Sequence, residues 1–283
     1  MKNVNLCLLN IFKNETEDYI GKLDKKIRKA YDSINAADYP QTYAVLGALV
    51  NGNLKHYTDG HDFLGDLVDC DEMKALDENV AELVLFMAKR YIQMDDVYAM
   101  SVLASLYYRG RFGEVDYVNA RKYYKMVADH DNANGFQNQG YIYYYGLGIR
   151  KDYKKAFHYF MKAYVRDDGE AAFKLGDMYR FGYYVEQDPA TAKTMYFKSY
   201  KMLNELKSCC CMGDISKRIA DVFFEGMATG VNKELAFRYY HKAEVEYYNQ
   251  IRSGDPWAAQ YLHYCIERQE QIRKGLMSEL SLA

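Results

Sequence analysis

The chain has 283 residues, 37 Lys and Arg against 39 Asp and Glu, and a formal net charge of −2. So even a balance sets up no field that would gather nucleic acid or an acidic lipid surface, and no stretch approaches the roughly 20 apolar residues of a membrane span. The 30 tyrosines and only three prolines point to an ordered chain with thin layers, because a tyrosine packs its ring while its hydroxyl stays wet.

The first segment, Met1 to Phe12, contains a short apolar run at Leu6–Leu9 interrupted by asparagines, with no small-residue cleavage site. It reads poorly as a signal peptide, so the expected location is cytoplasmic. From Glu15 to Ala37, the spacing of Leu23, Ile27, Tyr31 and Ile34 predicts an amphipathic helix, broken at Asp38-Tyr39-Pro40. Ala44 to Gly52 reads as one helix of a degenerate pair. Its partner is Asn79 to Met94, where Val80, Leu83, Val84, Met87, Ala88 and Tyr91 form an apolar stripe. Between them, Asn53 to Glu78 is rich in Asp and Glu. The acidic spacing matches no oxygen-ligand loop, so a solvated loop with a short helix is expected rather than a cation site or a dock for a basic partner.

From Tyr98 to Glu244 the chain repeats itself four times. Leu103-Ala104-x-x-Tyr107-x-x-Gly110 aligns with Gln139-Gly140-x-x-Tyr143-x-x-Gly146, Leu175-Gly176-x-x-Tyr179-x-x-Gly182 and Ile219-Ala220-x-x-Phe223-x-x-Gly226. After each glycine, Ala120, Ala156, Ala192 and Ala236 precede by four residues an aromatic at Tyr124, Phe160, Tyr196 and Tyr240. Self-similarity at this period means stacked units. Each unit reads as helix, loop, helix: the glycine closes the first helix, and Asp116, Asp152, Asp188 or Asn232 caps the second. The small residue at 104, 140, 176 or 220 lets two helix backbones approach. Beyond the repeats, Asp255-Pro256 opens a last helix with Trp257, Ala258, Leu262, Cys265 and Ile266 on one side.

The repeated stretch resembles the Sel-1-like repeat, a tetratricopeptide-related unit. The match is fullest where Gly146-Leu147-Gly148-Ile149, Asp152, Lys155-Ala156, Tyr159 and Lys162-Ala163 follow one another in register. The resemblance implies an all-α, right-handed superhelical solenoid of antiparallel helix pairs. It also implies the work of an adaptor or scaffold rather than a catalyst. The expected divisions are an N-terminal capping region at 1–39, a degenerate repeat with the acidic insertion at 40–97, four repeats at 98–250, and a C-terminal cap and tail at 251–283.

Nothing in the pattern asks for catalysis, a cofactor or a metal. The six cysteines place no pair within one repeat, which fits reduced thiols, and adjacent Cys209, Cys210 and Cys211 are poorly spaced to ligate one ion. The six histidines show no metal-ligand spacing, and no nucleophile motif occurs. Gly146-x-Gly148 follows a helix rather than a strand, unlike a phosphate-binding fingerprint.

A candidate surface follows from helical geometry. Counting the small residue as zero, packing uses positions −5, −1, +2 and +3, leaving −3, −2, +1, +4 and +5 of each first helix to face outward. That stripe carries Ser105 and Tyr108; Asn138, Tyr141, Tyr144 and Tyr145; Phe173, Asp177, Arg180 and Phe181; and Lys217, Asp221 and Phe224. Aromatics and arginines ringed by polar groups are what binding sites use, so the expected partner is another protein or an extended peptide lying in the concave groove. The alternatives are a self-associating structural module, with the stripe covered by another copy in a homo-oligomer, and a small-ligand sensor or enzyme built on the groove.

Overall fold

The computed structural model describes residues 8, 12, 15–50, 60–69, 75–205 and 211–281. Among these the chain is all helical, with thirteen helices and no strand. It divides into two compact units, Met1–Asp131 and Asn132–Ala283.

The first unit holds α1 (Glu17–Ser33), α2 (Pro40–Val50), α3 (Gly60–Asp69), α4 (Glu78–Gln93), α5 (Val97–Arg109) and α6 (Tyr117–Asp129). The expected stripes form its core: Leu23 and Ile27 of α1 are buried with Val80, Leu83, Val84 and Met87 of α4. The acidic insertion differs from expectation. Its short helix α3 exists, but Phe63, Leu64 and Leu67 are fully buried in the same core, so this part is packed structure rather than solvated loop. The reason is local: those three apolar residues recur at helical spacing inside the acidic run, and their burial outweighs the polar surroundings. Residues 53–59 and 70–74 of that insertion lie outside the described residues.

The second unit holds α7 (Ala133–Tyr145), α8 (Tyr153–Tyr164), α9 (Gly169–Phe181), α10 (Pro189–Glu205), α11 (Met212–Glu225), α12 (Lys233–Arg252) and α13 (Ala258–Ser281). Helices pair in chain order, α7 on α8, α9 on α10 and α11 on α12, with α13 against α12; in the first unit α5 pairs with α6. The stop and start signals act as read. Gly110, Gly146, Gly182 and Gly226 close their helices in the left-handed region, at φ 68, 73, 69 and 71°. Asp116, Asp152, Asp188 and Asn232 accept from backbone N–H groups of the next helix, as in Lys155 N to Asp152 Oδ1 at 3.0 Å.

A second set of caps accompanies them. Asp96, Asn132 and Asp168 cap α5, α7 and α9, each preceded by an aspartate in the left-handed region, Asp95, Asp131 and Asp167. In the fourth repeat Cys211 precedes α11 without a side-chain cap bond.

The glycine at the centre of the second and third repeats acts by contact. A Cβ built at Gly140 would stand 2.5 Å from the Phe160 ring, and one at Gly176 would stand 2.6 Å from the ring of Tyr196.

Candidate binding surface on the first helices of the second unit

The stripe read as outward-facing is in large part a seam between successive units. Tyr144, Phe173, Asp177, Arg180, Lys217 and Asp221 are buried, against the expectation of exposure. Ser105, Tyr108, Asn138, Tyr141 and Phe224 are half-buried, and only Tyr145 and Phe181, at 45% and 43% exposed, present large rings to solvent. The first helices of successive units come close enough for long side chains to bridge them, so positions free within one unit are covered by the next.

The bridging follows a rule. The residue at −2 of one unit reaches back to the +1, +4 and +5 positions of the unit before. Lys174 donates to the Tyr145 hydroxyl at 2.9 Å, and its ammonium lies over the rings of Tyr141, Tyr144 and Tyr145. One unit later, Arg218 donates from Nε to Asp177 Oδ1 at 2.8 Å and stacks on Phe181 at 5.4 Å. In the opposite sense, Arg180 donates to Asp221 Oδ2 at 3.1 Å and bidentately to Glu225 at 3.0 Å. Burial opposes the charges of Arg180 and Arg218, but the adjoining carboxylates outweigh it and raise both pKa values.

Each +1 carboxylate is also held from behind. Tyr196 donates to Asp177 Oδ1 at 2.8 Å, and Tyr240 donates to Asp221 Oδ1 at 2.7 Å. Burial first, then these carboxylates, pushes both phenols well above their ordinary range. In the second repeat the +1 residue is Tyr141, and the aromatic behind it is Phe160, which has no hydroxyl to place; the rings meet edge to face at 5.5 Å. Asp paired with Tyr and Tyr paired with Phe is a correlation visible in the sequence, and it is the signal that could have marked these positions as internal.

The remaining candidates are placed as follows. Ser105 hydrogen-bonds Tyr124, and Tyr108 packs edge-on against Tyr117 and Tyr124, all within the first unit. Asn138 gives its amide to the Asn134 carbonyl at 2.9 Å. Tyr141 donates to Glu170 Oε2 at 3.1 Å, where Gln137 also donates at 2.6 Å. Phe224 meets Tyr240 edge-on and the Arg268 guanidinium at 4.7 Å. Tyr264 and Arg268 of α13, which sequence reasoning left in a cap, belong to this surface, since Tyr264 also donates to Asp221 at 3.0 Å.

Of the cysteines, Cys265 is a free, buried thiol pushed up to about 12 by burial, whereas Cys211 is disulfide-bonded, so the expectation of reduced thiols fails there. Among the described residues no group of three or more His, Cys, Asp or Glu could hold a metal ion, and no helix is long and apolar enough to cross a membrane.

The family model of the Sel1 repeat matches four stretches, 97–132, 139–164, 169–202 and 218–244. The chain contains four Sel1 repeats. The Sel1 units coincide with the helix pairs α5–α6, α7–α8, α9–α10 and α11–α12. Two solved structures share the fold. A Sel1 repeat protein from Oxalobacter formigenes superposes with a TM-score of 0.50 at 16% identity, over 80% of this chain and 96% of its own. The c5321 protein, a protective antigen present in uropathogenic Escherichia coli strains and displaying an SLR fold, superposes with a TM-score of 0.53 at 18% identity. That match takes in 95% of this chain and 61% of the antigen's. No curated protein matches the sequence. The fold class is thus the all-α Sel1 solenoid of stacked helix pairs.

Proposed function

We propose that this Sel1-repeat chain is a non-catalytic adaptor that binds a protein or extended peptide along the first helices of its second unit. One observation carries the reading. The Phe181 ring is 43% exposed yet flanked by the Arg180 and Arg218 guanidinium groups at 5.3 and 5.4 Å, both anchored on carboxylates. An aromatic that faces solvent with its position already set loses little freedom on binding, and aromatic anchors of this kind carry most interface energy. Tyr145, held by Lys174, is its counterpart one unit earlier. The buried carboxylates and guanidiniums serve as the frame, and the exposed +5 rings serve as the contact.

The test is affinity capture on full-length protein, comparing wild type with a Tyr145→Ala, Phe181→Ala double variant. Both rings are solvent-facing, so the variant keeps its cooperative unfolding. A partner retained by wild type and lost by the variant is the expected result. Equal recovery of that partner by both proteins would remove these rings from the interface.

A further inference from the structure

The Lys217 side chain is 8% exposed, with its ammonium 5.3 Å from the ring centroid of Tyr264 and 5.7 Å from that of Tyr261. Ring faces attract a cation, but they leave its N–H donors without an acceptor. Among the described residues it has neither a hydrogen bond nor an ion pair. The carboxylates nearby are committed elsewhere. Asp221, one turn along α11, accepts on Oδ1 from Tyr240 and Tyr264 and on Oδ2 from Arg180, with Arg218 3.7 Å away. Asp214 accepts from the Tyr247 hydroxyl at 2.7 Å. Burial, then the neighbouring Arg218, accordingly holds Lys217 below the ordinary lysine range.

A second cation stands beside the same ring. The Arg268 guanidinium is 5.0 Å from the Tyr264 centroid, and among the described residues its bonds go to the Gln271 amide oxygen at 3.0 Å and to Tyr264, with no carboxylate. Tyr264 thus collects two positive charges that the protein does not neutralise by direct pairing, and the adjoining Tyr261 is 38% exposed.

We infer that Lys217 receives a single carboxylate of a bound ligand, with Arg268 at the same Tyr264 ring. A monoanion fits better than a phosphate dianion, because Asp214 and Asp221 lie one turn either side of Lys217 on α11 and repel a second negative charge. The exposed Tyr261 ring gives the group next to that carboxylate an apolar face to lie on. The inference rests on the peptide-binding reading for the origin of the carboxylate, a peptide's C-terminal group or an acidic side chain, but its test needs no partner.

The probes are N-acetylphenylalanine, its neutral amide, and N-acetylglutamic acid α-amide, whose one carboxylate is on the side chain. Each is titrated calorimetrically into the full chain. A hydrogen-bonded charge pair in place of a neutral contact should make one of the two acids bind about tenfold or more tightly than the neutral amide. Whichever acid it is assigns the source. Lys217→Met keeps the stem and removes the charge, so it should abolish the preference while leaving the melting temperature unchanged or raised; Arg268→Gln should weaken the preference. Equal affinity for acids and amide, no detectable binding of either acid, or a preference that survives Lys217→Met would each overturn the proposal. Competition by inorganic phosphate at the acid's own saturating concentration would overturn the assignment to carboxylate. Preference for an acid alongside unchanged partner capture by the Tyr145, Phe181 variant would retain this site and discard those rings.

Discussion

Asp221 joins the most elements of any side chain on the proposed surface. It accepts from tyrosines on α12 and α13 and from an arginine on α9, so three helices are oriented about one carboxylate. Buried charge pairs contribute little net stability over an apolar replacement, but breaking one is expensive because the partner charge stays behind. Asp221→Ala should therefore cost about 3 kcal/mol or more in urea unfolding. Asp221→Asn should cost less, since it still accepts from the two hydroxyls; equal losses would mean that the charge accounts for the whole cost and the two hydroxyl contacts contribute nothing separate. Asp168 differs, as a carboxylate that the fold would rather see neutral. Burial pushes it up to about 6 although it caps the Ala171 N–H at 2.7 Å. With the folded pKa above the unfolded one, the folded state holds the proton more tightly, so stability is lost as pH rises from the ordinary carboxylate range through about 6. Asparagine caps as well as aspartate. Asp168→Asn should thus flatten the dependence of melting temperature on pH across that window and raise stability at neutral pH; an undiminished slope would assign it to other groups.

At the scale of elements, the helix pair is set by how near two backbones come. Gly176 has the Tyr196 ring against it, and that ring cannot swing away because its hydroxyl is held by Asp177. Alanine is the better helix former by about 1 kcal/mol, yet overpacking costs about 1–3 kcal/mol. Gly176→Ala is thus expected to lower the melting temperature despite its propensity, and a rise would mean that α9 and α10 can separate without loss. This distance is legible in the sequence from the glycine and the aromatic that faces it. The three extra caps at Asp96, Asn132 and Asp168 were equally legible, since they recur at 36-residue intervals, but they follow a left-handed aspartate rather than the glycine that usually marks such a turn.

At the scale of the whole molecule, the two units hold themselves together by different chemistry. The core of the first is built from aliphatic stripes, Leu23, Leu46, Leu83 and Met87 among them. The second adds tyrosines, Tyr196, Tyr240 and Tyr247, whose hydroxyls reach buried or half-buried carboxylates. Damage to those carboxylates should stay local, because mutational effects do not spread between sites that share no partners. In hydrogen exchange of full-length Asp221→Ala, protection should fall within 132–281 and remain at wild-type values in the helices of 17–129. Loss of protection in both would show one cooperative block.

The sequence by itself determined the all-helical class, the four repeats, the helix starts and stops, and the near approach of paired helices. Each of these depends on contacts within one unit, which a period of 36 to 44 residues displays four times over with small changes. Tertiary structure alone decided which outward positions meet water. Exposure on the first helices depends on how closely one unit stacks on the next, and no periodicity within a unit records that distance. Arg180 and Phe181 are neighbours in sequence with equal claims to the surface, yet stacking turned one into a buried bridge to Asp221 and left the other facing solvent.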